Sequence, residues 1–186
     1  MTISQAIARL RRDERGVAAL EFALVGTFLV VGLLNAVDVG YYTYQRMAVE
    51  NAAQVGAQAA WKNCSDPSTM LPATVNCTTA NGAAADLSSA ITAAIQSSSL
   101  GTSITLVSGY PAEGYYCINA SSMLQAVGSL SSKPSNCSAA GNSALSPGDY
   151  IQVGVTYTYA PLFPGISVMG ASGITAITAT AWMRLG

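Results

Sequence analysis

From Val17 to Val37 the chain is apolar at almost every position, and Glu21 is the only ionisable side chain among those 21 residues. Coiled as a helix at about 1.5 Å per residue, such a stretch spans roughly 30 Å, the thickness of a bilayer's hydrocarbon core, and it predicts a membrane span. No proline follows until after Trp61, and Ala, Leu, Val, Met, Gln and Glu dominate, so one helix of about 45 residues, roughly 65 Å long, is predicted over 17–61. In its outer half, 38–61, Val37, Tyr41, Tyr44, Ala48, Ala52, Val55 and Ala59 recur three or four apart and predict an apolar stripe, with Asp38, Gln45, Glu50 and Gln54 at other angles. Gly26, Gly32, Gly40 and Gly56 punctuate the helix, as small residues do where backbones approach closely.

Past Trp61 the texture changes. Cys64-Ser65-Asp66-Pro67-Ser68 is a loop signal, and Leu87, Ile91 and Ile95 then give a helical period within 83–98. Short strands are predicted at 103–107 and 115–119, and a brief helix at 121–130 with Ser121 as its cap. The clearest strand is 150–159, where Ile151, Val153, Val155, Tyr157 and Tyr159 alternate with Gln152, Gly154, Thr156 and Thr158. A last β-branched stretch, 174–183, predicts its partner. The fold class is α+β: a long N-terminal membrane-spanning helix continuing into a small globular domain, with an antiparallel sheet, simplest as a meander, and one or two short helices.

Charge gives the span a direction. Of eight Lys and Arg residues, Arg9, Arg11, Arg12 and Arg15 precede Gly16, which places a 1–16 leader in the cytoplasm and the domain 62–186 outside. A cleaved secretory signal is the competing reading; its apolar region is shorter, and 34–38 offers no small-residue cleavage site. Cys64, Cys77, Cys117 and Cys137 all follow the span, an even number in the part assigned to an oxidising compartment. Of three connectivities, the sequence-local pairs Cys64–Cys77 and Cys117–Cys137 are favoured, since each flanks one polar, proline-containing loop. The chain has no His, which excludes an imidazole triad, and no Cys-x-x-Cys pair to supply a zinc site with closely spaced ligands, so no metal and no cofactor is expected. Asp66, Asp86, Glu113 and Asp149 are scattered in predicted loops or their edges, which gives no catalytic constellation, so no enzyme is expected. Net charge is −1 and only 9% of residues are charged, which provides no nucleic-acid footprint.

Three features converge at Gly16: a basic leader before it, an apolar run directly after it, and Glu21 five positions on. Cleavage after Gly16 would make Val17 an N-terminal ammonium, for which Glu21 is the natural counter-charge in its own helix or in a neighbour's. Arg15-Gly16-Val17-Ala18-Ala19-Leu20-Glu21-Phe22-Ala23-Leu24 resembles the processing site of the TadE-like family, minor pilins (pseudopilins) of the tight adherence, or Tad/Flp, branch of type IV pili. The resemblance continues along the helix, and 153–162 and 179–184 are similar to that family's closing strands. It implies a pilin-like fold, cleavage between Gly16 and Val17 by a prepilin peptidase, and assembly through Glu21 and Phe22. The implied partners are major and minor pilins, the inner-membrane assembly platform and the membrane itself. The implied location is the bacterial inner membrane with a periplasmic domain, then a surface pilus in which the chain initiates assembly or adheres at the tip. The alternative from the residues alone is an uncleaved single-pass protein whose outer domain binds a ligand.

Overall fold

One helix, α1, runs unbroken from Glu14 to Asn63. The computed structural model describes residues 14–64, 66 and 68–186, so Arg9, Arg11 and Arg12 of the leader, and Ser65 and Pro67 of the first loop, lie outside the described residues. The four glycines do not break α1, because helix formers surround each of them and no proline intervenes. The chain divides into two compact units: the stretch ending at Tyr42 with Ala160–Ile174, and Thr43–Tyr159 with Thr175–Gly186.

In the second unit α1 buries Gln45, Val49, Ala52, Ala53, Ala57 and Ala60. This face is turned about one residue from the stripe 37, 41, 44, 48, 52, 55, 59. Of that set Ala52 is buried, whereas Tyr44 is 56% exposed, as is Val37 at 49% in the first unit. Small residues decide the matter. A Cβ on Gly56 would lie 2.8 Å from Ile95 Cγ2 and 3.2 Å from Val153 Cγ1, so the helix approaches its neighbours where it carries least bulk.

Two short helices follow, α2 (Ala73–Asn76) and α3 (Leu87–Gln96), the second burying Leu87, Ile91 and Ile95 at the expected spacing. The strands are β1 (Ile104–Leu106), β2 (Ala112–Ile118), β3 (Leu124–Ala126), β4 (Gly148–Thr158) and β5 (Ala176–Arg184), with a last helical turn α4 (Val168–Ala171) between β4 and β5. All pairings are antiparallel. The order is not a simple meander. β4 is central: β5 pairs along one edge, while β1 pairs with its C-terminal half and β2 with its N-terminal half, and β3 extends the sheet from β2. β4 is long enough to host both short strands in succession, which no local pattern announces. Ile151, Val153 and Val155 are fully buried, as the alternation requires.

The segment 121–130 is a hairpin arm rather than a helix. Asn119 Oδ1 accepts from the N–H groups of Ser121 and Met123, at 2.9 and 3.1 Å, and Ser122 takes φ 60°. Asn119 therefore closes a turn between β2 and β3 before Ser121 can cap anything. Disulfides join Cys64 to Cys77 and Cys117 to Cys137, and the second lies in a small cluster with Tyr115, Val127 and Ala140.

Candidate processing and assembly site

Helix geometry sets out the N-terminal segment. Gly16, Val17, Glu21 and Phe22 all lie on α1 and are exposed, Val17 at 61% and Phe22 at 79%. A Cβ on Gly16 would meet nothing within 4 Å. Phe28 and Leu29 are likewise exposed, at 79% and 69%, so this half of α1 offers apolar surface all round and is apolar and long enough to cross a membrane, with a mean hydropathy of 2.3. Val17 and Glu21 stand four residues apart, about 6 Å along the axis and on one face. Among the described residues no hydrogen bond or ion pair engages the Glu21 carboxylate. A lone acid in such surroundings costs roughly 2.5 to 3.5 kcal/mol on insertion scales, and its chemistry is to accept a cation.

At the other end of the apolar run, Asp38 is treated differently. It is 1% exposed; its Oδ1 accepts from Leu162 N–H at 2.8 Å and its Oδ2 from the Ser167 hydroxyl. One turn earlier, Asn35 Oδ1 accepts from Val168 N–H at 2.8 Å. Ser167 is in turn the N-cap of α4, its hydroxyl accepting from Gly170 N–H at 3.0 Å. Sequence reading assigned Asp38 to a polar face and missed this latch, which joins residues 124 and 129 positions apart; no local signal points to it.

Two acids read as scattered are also brought together. Glu113 is in β2 and Asp149 in β4, opposite Ile151 and Tyr115 respectively, so both carboxyls rise from one face of adjacent strands. The Glu113 carboxyl accepts from three donors of α2: Ala73 N–H at 2.6 Å, Thr74 N–H at 2.7 Å and the Thr74 hydroxyl at 2.5 Å. Asp149 is 1% exposed, and no donor reaches either of its oxygens. Its carboxyl is raised to about 7 by burial first and then by the charge of Glu113, against the opposing charge of Lys133. Tyr115 is raised by burial and by the same two acids, and Lys133 Nζ sits 5.4 Å from its ring centroid. A parity signal existed, since Asp149 precedes Ile151, Val153 and Val155 on the buried face of β4. The other two acids have local duties: Asp66 is lowered by hydrogen bonds from Ser68, and Asp86 Oδ1 accepts from Thr79 N–H at 2.9 Å. Among the described residues no group of three or more His, Cys, Asp or Glu is placed to hold a metal ion.

Residues 16–58 match the model of a family described as TadE-like protein. Gly16 opens that match, and Val17, Glu21 and Phe22 fall inside it. No curated protein and no solved structure matches the chain.

Proposed function

With the TadE-like segment 16–58 as premise, we propose that this chain is a minor pilin of a Tad-type pilus, matured by cleavage after Gly16 and locked into its assembly through Glu21. The observation that carries the proposal is the exposed Glu21 carboxylate, one turn into an apolar helix and without a partner among the described residues. Hydrolysis of the Gly16–Val17 peptide bond removes the leader 1–16 and creates an ammonium on Val17, the kind of group Glu21 lacks. Met by the ammonium of a neighbouring subunit, Glu21 fixes the axial register between helices, because an out-of-register pair leaves two charges unmatched in apolar surroundings. Phe22 and the rest of 17–37 supply the apolar packing, while 38–61 continues the helix into the domain 62–186. Before assembly the chain sits in the inner membrane with that domain in the periplasm, and afterwards the domain is displayed on the pilus.

The partners on this reading are the prepilin peptidase, the assembly platform and other pilins. The domain's two disulfides suit an oxidising compartment, and its size suits an initiating or tip component. No residue is assigned a catalytic role. Mass spectrometry of the chain co-expressed with its cognate peptidase tests the first step. A mature N-terminus at Val17 is expected, and Gly16→Leu abolishes it; an intact leader beside an active peptidase overturns the proposal. Glu21→Ala is expected to be cleaved normally yet lost from sheared pili, and its normal incorporation would remove Glu21 from the mechanism.

A further inference from the structure

The segment Ala160–Ile174, between β4 and β5, has no Asp, Glu, Lys or Arg. Three of its large apolar side chains are exposed: Leu162 at 46%, Ile166 at 43% and Val168 at 55%. Singly such exposure is ordinary, but here it lies within one compact unit with the membrane-spanning half of α1. Hydrogen bonds from Leu162, Ser167 and Val168 to Asp38 and Asn35 fix the height of the segment along that helix. Counted from Val17 at about 1.5 Å per residue, Asn35 stands about 27 Å and Asp38 about 31 Å up the axis, against a hydrocarbon core about 30 Å thick. The latch therefore holds the segment level with the end of the hydrocarbon region.

The backbone suits that position. Pro161 and Pro164 have no N–H to satisfy, and the N–H groups of Leu162, Ile166, Ser167, Val168, Gly170 and Ala171 all have partners within the unit. Groups paired in this way lose little on leaving water, and the Asp38 side chain, the first acid after the apolar run, is covered by the bonds from Leu162 and Ser167.

We propose that Ala160–Ile174 is a second membrane contact of this protein, lying in the headgroup and acyl boundary of the leaflet at the C-terminal end of the span, with Leu162, Ile166 and Val168 against phospholipid. The contact widens the apolar footprint of a single helix and fixes the rotation of α1 about its axis, which one span alone leaves free. It rests on α1 crossing the bilayer and not on the pilin reading.

The test uses the full chain reconstituted at low protein density in vesicles of phosphatidylethanolamine and phosphatidylglycerol, with Trp61→Phe and Trp182→Phe removing the native indoles. Ile166→Trp and Val168→Trp report on the segment from two exposed positions, and Phe28→Trp, about 16 Å up the helix, reports on the span. Lipids brominated near the headgroup are expected to cut emission from both segment reporters about twofold or more, and lipids brominated near the chain ends to cut it less, as for a group about 5 to 10 Å below the surface. The Phe28→Trp reporter should show the opposite order. Quenching at Phe28→Trp with none at either segment reporter overturns the proposal while leaving the span intact. Shielding that grows with protein density and ignores brominated lipid also overturns it, in favour of a second copy as the occupant. Silence at all three positions overturns the span and the proposal together.

Discussion

Asp149 makes the stability of this protein depend on pH in an unusual direction. Its carboxyl is buried without a donor, beside a Glu113 whose own carboxyl is taken up by donors of α2, and its pKa is raised to about 7. An unfolded aspartate titrates near 3.9, so between about pH 4 and pH 7 the native state keeps a proton that the unfolded chain has lost. Stability from this group is then fully present below about pH 4, falls as pH rises to about 7, and is level above. Three pH units at about 1.4 kcal/mol each give about 4 kcal/mol. Asp149→Asn keeps the shape and removes the titration. The variant should unfold with nearly the wild-type free energy at pH 4 and be more stable by several kcal/mol at pH 8. The assay is denaturant unfolding of the full chain in detergent with disulfides intact, followed by tryptophan fluorescence at both pH values. Taking the difference between the two proteins cancels the other titrating groups. A wild-type curve parallel to the variant's from pH 4 to pH 8 would refute the reasoning, because Asp149 would then be ionised in the native state without cost.

Gly56→Val places a Cβ 2.8 Å from Ile95 Cγ2, a methyl close to a helical backbone, and should destabilise the domain by about 1 to 3 kcal/mol by the same unfolding assay. Gly40→Ala, with nothing within 4 Å of its new methyl, should leave stability equal or raise it by up to about 1 kcal/mol. Asp38→Ala strands Leu162 N–H and the Ser167 hydroxyl, costing the latch about 2 kcal/mol or more, so hydrogen exchange by mass spectrometry should quicken across 160–174 but not across β4.

The long helix and the β4 strand were legible because each rests on a period: absence of proline with helix formers for α1, strict alternation for β4. The face that α1 buries was not. Tyr41 and Tyr44 outweigh Ala and Gly in any hydrophobic count, whereas packing selected the small side, where Gly56 admits Ile91, Ile95 and Val153. Strand order was illegible for a different reason. The pairing of Ile104 with Tyr157 and of Ala112 with Gln152 depends on the length of β4, and on Tyr110 lying over Gly154, whose missing Cβ would sit 2.6 Å from that ring. In the candidate site, Gly16, Val17, Glu21 and Phe22 stand out in the sequence because charge in an apolar run is conspicuous. Asp38 could not, since the donors from Leu162 and Ser167 are more than a hundred residues away, and a backbone N–H and a hydroxyl there look like ordinary loop.

Asp38 also bears on the role proposed for Glu21. Both acids belong to α1, one near each end of the same apolar run, and each meets the same penalty for a charge out of water. For Asp38 the chain supplies its own remedy, a backbone N–H and a hydroxyl delivered by the segment after β4. For Glu21 the described residues supply none, although helix formers that would cost nothing, such as Ala or Leu, fill the neighbouring positions. A fold that covers one carboxylate with a dedicated latch and leaves the other without a partner among the described residues is what the proposed pairing with a new N-terminus requires. Under the proposed cleavage after Gly16, leader removal would create a cation at the right depth, and only in a neighbouring subunit would that cation also carry information about position. A self-pair in one helix would neutralise Glu21 but specify nothing about assembly, so register control requires the pairing to be between subunits.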